Sequence, residues 1–317
     1  MAGDVIVTVT LNAALHAGYA AADWTAAAGV VAVSRPSYRA GGRGVTAARL
    51  LRSFGHDVLA AGLAGGSSGE LIREDLARSG VPAAFTLTRG ESRRIYRFTG
   101  PRHGMLRFAE PGPYITTEEL GRFAADYRRL LAGAAAVVLC GSLPDGLPPD
   151  IYGTLVTYAA EAGVPAILDA GGEELSHAIR HRPALVVADL DRAGDGAALV
   201  RRGAGAVAVT CGDVVRAVTP AGQWTARLAV PGAAAPWRPA RGALVAGLVP
   251  GQLLGWSWPD RLRHALALAA GATTASGAAG DGGRRGSDPD PPGDAGDRVD
   301  LAAYERLLDA VTVEAPG

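Results

Sequence analysis

Lysine is absent from the 317 residues: all 31 basic side chains are arginines, and 31 acids balance them. Without lysine there is no amine for a Schiff base and no lysine general base. Any cationic contact must instead come from a guanidinium, which stays charged and grips carboxylate or phosphate oxygens through a planar fork. The accompanying wealth of Ala, Gly and Arg reads as a compositional drift that exchanges Lys for Arg even where no function demands it. A formal charge of zero gives no bulk attraction to nucleic acid or to a membrane surface. Cysteine is also scarce. Cys140 and Cys211 lie in apolar, strand-like surroundings without metal-ligand spacing, which predicts two buried free thiols rather than a disulfide or a zinc site. No run approaches the roughly eighteen apolar residues of a membrane span. The opening Met1–Thr10 is too short and too acidic for a signal peptide, so a soluble, cytoplasmic protein is expected.

What is present is enough apolar residues, 48% of the chain, for a large core. Asp4–Leu11 alternates as a strand and ends in Asn12-Ala13-Ala14-Leu15-His16. A second β-branched run, Val30–Val33, lies in a predicted strand over Gly29–Arg39, followed by Ala40-Gly41-Gly42-Arg43-Gly44-Val45-Thr46. From Val45 to Phe54 the spacing is helical, with Gly55 as its stop. Strand Val58–Leu63 and helix Gly69–Ser79 continue the alternation. Between Phe85 and Phe108 the pattern shifts to short strands rich in Thr, Arg and aromatics, which suits a small antiparallel sheet. Helices over Thr117–Leu131, Asp150–Ala162, Glu173–Arg180 and Ala197–Arg202 then alternate with strands Ala136–Cys140, Pro165–Asp169, Leu185–Val187 and Ala206–Thr210. A hairpin over Val214–Leu228, helices from Gly242 and over Pro259–Thr274, and a last helix Leu301–Val311 complete the series. This is an α/β protein with a mostly parallel sheet wrapped by helices, in one domain over 1–317, with a small β lid built from about 12–39 and 85–112. The polar, low-complexity stretch 275–298 reads as a disordered surface loop, either a solvated linker or a charged arm for a partner.

Several residues have chemical meaning of their own. Gly41 and Gly42 before a helix allow backbone to approach a phosphate or hydroxyl, or simply make a tight turn. Arg43, Arg93 and Arg94 can clamp a phosphate bidentately. Ser142, after Gly141 at the carboxyl end of a strand, stands where parallel sheets place ligands, or caps the turn at Leu143-Pro144. The segment Ala235–Gly251 passes from a Pro/Arg loop into an apolar helix. A helix start points unsatisfied N–H groups and partial positive charge at an anion, yet this one carries no carboxylate.

In order and in sequence, these segments resemble the ribokinase, or pfkB, family of sugar kinases, most of all its 1-phosphofructokinase and tagatose-6-phosphate kinase branch. The resemblance rests on Thr8–His16, Ala40–Thr46, Ala109-Glu110-Pro111-Gly112-Pro113, Cys140-Gly141-Ser142-Leu143-Pro144, Asp169-Ala170-Gly171-Gly172-Glu173 and Val311–Glu314. It implies a three-layer αβα fold and a phosphosugar site from Asn12, His16, Gly41, Gly42, Arg43, Thr46, Arg93 and Ser142. It also implies nucleotide contacts from Asp189, Arg192, Thr210 and Gly212, Mg-ATP as cofactor if the chain is active, and a homodimer joined through the lid. No nucleic-acid or membrane partner is implied.

The departures lie at the chemistry. The family's Gly-Ala-Gly-Asp falls on Pro239, Ala240, Arg241 and Gly242, so the base position is a glycine and Pro239 removes one N–H from the anion cradle. His16 stands where the resemblance expects a sugar-binding Asp, Thr46 and Ala109 where it expects Asn, and Ile95 at another polar position. The Asn-x-x-Glu motif falls on Asp189-Leu190-Asp191-Arg192. The expectation is a kinase-fold protein that binds a phosphosugar or a partner and transfers phosphate poorly. The alternatives are an active kinase that uses His16, Asp189 or Asp191 in place of the lost groups, or a non-kinase enzyme with His16 as base.

Overall fold

The structure, a computed structural model, describes residues 5–21, 30–100, 104–189, 195–228, 239–277 and 299–315. Among them, ten strands form one sheet. Its parallel part comprises β1 (Val5–Thr10), β4 (Val58–Gly65), β5 (Ala83–Thr88), β8 (Ala134–Cys140), β9 (Ala166–Asp169), β10 (Leu185–Asp189) and β11 (Val207–Cys211), and an antiparallel edge comprises β12 (Val214–Thr219), β13 (Gly222–Leu228) and β14 (Val311–Glu314). Their order is β14-β13-β12-β11-β10-β9-β8-β1-β4-β5. The parallel strands are near-continuous Val, Leu, Ile and Ala because helices bury both of their faces. One face packs on α1 (Arg43–Ser53), α2 (Gly66–Arg78), α7 (Arg241–Leu254), α8 (Trp258–Gly277) and α9 (Leu301–Ala310). The other packs on α3 (Thr117–Leu131), α4 (Ile151–Glu161), α5 (Gly172–Ala178) and α6 (Gly196–Arg202). On β1 the alternation is visible residue by residue, with Ile6 in the first core and Val7 and Val9 in the second.

The four remaining strands, β2 (Ala14–Ala20), β3 (Ser37–Gly41), β6 (Arg93–Gly100) and β7 (Gly104–Ala109), make a second sheet in the order β3-β2-β6-β7. It differs from the expected lid in four respects. It is mixed rather than antiparallel, since β2 runs parallel to β6. The segment at Phe85 belongs to the large sheet, where β5 pairs with β4. β2 is a strand in its own right, and Val30–Val33 is not: Val33 makes only a single bridge to Ala21, and Val30 is 93% exposed. A β-branched run forms a strand only where a neighbour completes its hydrogen bonds, and β2 offers its edge from Ser37 onward.

Smaller differences follow from the same kind of cause. α1 and α2 begin at Arg43 and Gly66, earlier than periodicity indicated, because apolar spacing does not register a polar first turn. α8 continues through 275–277, so the expected loop starts no earlier than 278, and its remainder lies outside the described residues. The C-terminal Val311–Glu314 leaves α9 to pair with β13. Cys140 is buried as expected, whereas Cys211 is exposed at the end of β11. No helix among the described residues is long and apolar enough to cross a membrane.

Two polar devices hold the small sheet against the large one. Asp75 on α2 accepts the Ala40 N–H at 2.7 Å, while Arg49 on α1, paired with Asp75, donates to the Ala40 carbonyl at 2.8 Å. Both backbone groups of Ala40, next to Gly41-Gly42, are thereby satisfied by a buried ion pair. The start of α2 is capped from outside the helix. The Glu91 carboxylate accepts the Ser68 N–H at 2.7 Å, the Ser67 N–H at 3.1 Å and the Ser67 hydroxyl at 2.9 Å. Hydrogen bonds from Ser68 first and then Ser67, against an opposing effect of burial, hold the Glu91 carboxyl at about 2, below its usual 4.5.

A folded-state value below the unfolded one means stability that is fully present above about 4.5 and lost as pH falls toward about 2. Glu91→Ala is expected to cost about 1 kcal/mol at neutral pH, and the gap to the parent protein should close on acidification through that window, measured by urea denaturation at a series of pH values.

Candidate active site

The carboxyl ends of β1 and β8 open on a pocket of about 300 Å³ lined, among the described residues, from five places in the chain. Parallel sheets leave their ligand crevice at these ends. β1 delivers Thr10 and Asn12, and the turn after β8 delivers Gly141 and Ser142. Gly42, Arg43 and Thr46 come from the start of α1, Ala240, Arg241 and Gly242 from the start of α7, and His16, Arg93, Ile95 and Arg107 from the small sheet. Asn12, His16, Gly42, Arg43, Thr46, Arg93 and Ser142, separated by up to 130 positions, are thus brought together around one pocket. The Asn12 side chain ties two of the walls by donating to the Ser142 hydroxyl at 3.3 Å and the Leu143 carbonyl at 3.4 Å.

Gly41 stands just behind this wall, where a Cβ would fall on the His16 ring. Gly42 has a φ of 125°, a conformation that side chains rarely adopt, and a Cβ there would lie 2.8 Å from Thr10 Cγ2. The glycine pair therefore lets the β3–α1 turn close over β1. Arg94 departs from its expected role. It faces away from the pocket, donating to the Ser68 hydroxyl at 2.8 Å and pairing with Glu91 at 3.3 Å. Strand alternation explains the difference, since Arg93 and Ile95 share the pocket face and Arg94 takes the other.

Arg107 and Thr10 line the pocket but were not picked out from sequence. Arg107 could have been found only from the β6–β7 register, which sets it opposite Arg97 and so on the face of Arg93 and Ile95. Arg93 is half-buried and donates from Nε to the Asn12 carbonyl at 3.3 Å. Burial first, and then the Arg107 guanidinium, push its pKa down.

At the deep end, Arg241 sits between two acids. Its side chain is 10% exposed, and its guanidinium pairs with Asp169, which is fully buried, and with Asp189 at 2.9 Å. Arg43 approaches Asp169 from the other side, with Nε at 2.6 Å from the carboxylate. Asp189 also accepts the Thr210 hydroxyl at 2.6 Å. Burial raises the pKa of Asp189, but the Thr210 hydroxyl and Arg241 outweigh it, so the net direction is down. For Arg241 the two aspartates overcome burial and raise the pKa. The cluster of Arg43, Asp169, Arg241 and Asp189 is formally neutral.

Around this cluster the remaining expected residues take their places. Pro239 is buried next to the N-cap Ala240, and α7 begins at Arg241 with no side chain capping it. Gly242 lines the pocket, and a Cβ there would lie 3.0 Å from the Arg43 carbonyl oxygen and 3.0 Å from Thr46 Cβ. Thr210 and Gly212 sit at the end of β11 and just beyond it, with Gly212 at φ 62°. Asp191 and Arg192 lie outside the described residues. Among the described residues no group of three or more His, Cys, Asp or Glu is disposed to hold a metal ion.

Breaking a buried ion pair from one side leaves a charge without its partner. Arg241→Ala is therefore expected to destabilise the protein by about 3 kcal/mol, and the added removal of Asp189 should cost little further because the two share one interaction. Chemical denaturation of the single and double variants measures both.

The comparisons with known proteins agree with this architecture. The family profile of pfkB carbohydrate kinases matches residues 12–212, which include the Gly-Gly turn, Arg93, Ser142 and Asp189 but end before the 239–242 turn. A tagatose-6-phosphate kinase of Staphylococcus epidermidis is 31% identical over 189 residues; this match covers 59% of the present chain and spans only 60% of that relative's length. In three dimensions the chain is similar to a possible 1-phosphofructokinase from Thermotoga maritima, with a TM-score of 0.79 at 21% identity over 99% of this chain and all of that one. It is also similar to phosphofructokinase-2 of Escherichia coli in complex with fructose-6-phosphate, with a TM-score of 0.74 at 24% identity over 87% and 95% of the two chains. At such identities the structural likeness speaks to the ribokinase-like fold alone, and it is the profile, matched across more than half of the sequence, that makes this chain a member of the pfkB family of carbohydrate kinases.

Proposed function

We propose that the protein binds a phosphorylated sugar in this pocket and transfers phosphate to it poorly or not at all. The observation that carries the reading is Arg241, whose guanidinium pairs with Asp169 and Asp189 at the start of α7, beside a glycine where a base would stand. Transfer to a hydroxyl needs a carboxylate near the acceptor and donors free to receive the developing charge. Among the described residues no carboxylate lines the pocket. Asp169 lies behind the wall between two arginines, and Asp189 is held ionised by Thr210 and Arg241, which makes it a weak base. Nor do the described residues fit Mg-ATP-dependent transfer, because the two strand-end acids are already neutralised by guanidinium groups. The phosphosugar side is better preserved, with Asn12, Ser142, Arg93 and Arg107 on facing walls. Family membership supports a second reading, an active hexose-phosphate kinase that works through substitute residues.

Loss of a general base lowers the rate by about 10²–10⁴-fold, and kinases of ordinary competence turn over about 1–100 times per second. Assays of ADP release with Mg-ATP and a panel of hexose phosphates are expected to stay below about 10⁻² per second. Turnover near one per second would instead establish the second reading.

The outer face of the small sheet supports a homodimer. Register places Tyr19, Tyr96, Phe98, Leu106 and Phe108 on the face turned from the pocket. Leu106 and Phe108 are exposed on β7, whose outer edge is unpaired among the described residues. Light scattering should give twice the chain mass, and Phe108→Asp should return the monomer.

A further inference from the structure

The opposite end of the large sheet, where its parallel strands begin, holds a second cavity of about 560 Å³ that shares no lining residue with the first. That volume is within the range of small-molecule sites. Ile6 of β1, Ala134 of β8 and Pro165 just before β9 line it from the sheet. α7 runs between the two cavities, with Arg241 at one and Leu253 and Leu254 at the other. Among the described residues the lining is apolar or glycine throughout, except for His56.

The charge around the cavity selects its occupant. Helices α3, α4 and α7 all end there, through Leu131, Ala162 and Leu254. A helix end carries partial negative charge on carbonyls that lack a donor. α4 and α7 have no basic residue in the last turn to offset it. α3 has two, but Arg128 lies over the Tyr158 ring at 3.7 Å and Arg129 pairs with Asp126. Arg52, in the last turn of α1, is taken by Asp57 at 3.0 Å. Pro250, inside α7, has no N–H to give to the Ala246 carbonyl. His56 is half-buried, and burial lowers its pKa, so its ring is neutral at pH 7 and keeps a lone pair.

We infer that this cavity binds a small organic ammonium ion, with the apolar body against Leu253, Pro165 and Pro250 and the cationic head at the ends of α4 and α7 beside His56. The helix ends disfavour a carboxylate, and the lining offers no cation to receive one.

Ligand-detected NMR titration of the full chain with hexylammonium, hexanol and hexanoate tests this, since the three share one hydrocarbon chain and differ in the head group. Hexylammonium is expected to bind with a Kd of about 1 mM or tighter, in keeping with so small a molecule, and roughly fivefold or more tightly than hexanol. Ala162→Trp, at an exposed lining position, should remove that binding while its thermal unfolding shows a folded chain. His56→Leu should cut the preference for ammonium over alcohol about threefold and retain hexanol. Any uptake of hexanoate is expected to persist in Ala162→Trp, because only the arginine-lined pocket suits it. Hexanoate or hexanol binding as tightly as hexylammonium, and lost in Ala162→Trp, overturns the inference. So does a parent protein that takes up none of the three, or an ammonium affinity that Ala162→Trp leaves unchanged.

Discussion

The buried carboxylate of Asp169 is the constraint around which the active-site end of this protein is arranged. It stands at the end of β9 with no exposed surface, and an ionised group so placed is costly unless it is paired. Arg43 from α1 and Arg241 from α7 supply that pairing from two sides, and Arg241 then reaches the neighbouring strand end at Asp189. One acid thus joins two helix starts and two strands. The same geometry that stabilises the charge carries the Arg241 guanidinium into the turn where phosphotransfer would need open backbone donors. Neutralisation of the interior acid and the placement of Arg241 beside the pocket thus have one geometric cause.

The small sheet has a similar double role. Its mixed register places Arg93, Ile95 and Arg107 on one face and the aromatics Tyr96, Phe98 and Phe108 on the other, so a single ribbon presents cations to the pocket and an apolar surface outward. Its attachment to the large sheet runs through Ala40, whose two backbone groups are taken by Asp75 and Arg49. The Gly41-Gly42 turn next to it owes its position to that clamp as much as to its own freedom of φ. Pocket-lining residues and structural residues alternate here along short stretches of chain, which is why neighbours such as Arg93 and Arg94 point to different surroundings.

Much of this was legible beforehand. Alternation of β-branched runs with 3.6-residue spacing identified the parallel core and most of its helices, because burial on both faces leaves a strong pattern. Failures occurred where the pattern was weak or misleading. Val30–Val33 has strand composition but lacks a partner, β5 has the look of the neighbouring small strands yet pairs with β4, and Cys211 ends its strand in solvent. Among the pocket residues, Arg43 and Ser142 could be singled out from turn and strand-end signals, and Asn12 and His16 from the resemblance. Arg107 did not, since an arginine in an exposed-looking strand has no local mark of its destination.

What the sequence determined by itself was the class of fold and the absence of any lysine chemistry, since both are matters of residue identity and periodicity; that Gly242 falls at a base position is what the resemblance implies. The tertiary structure alone decided which groups these side chains meet. That Arg241 answers Asp169 and Asp189 rather than solvent depends on two strands meeting one helix start, residues 52 to 72 positions apart. Pairing at such separations is a property of the packed sheet, and no local spacing encodes it.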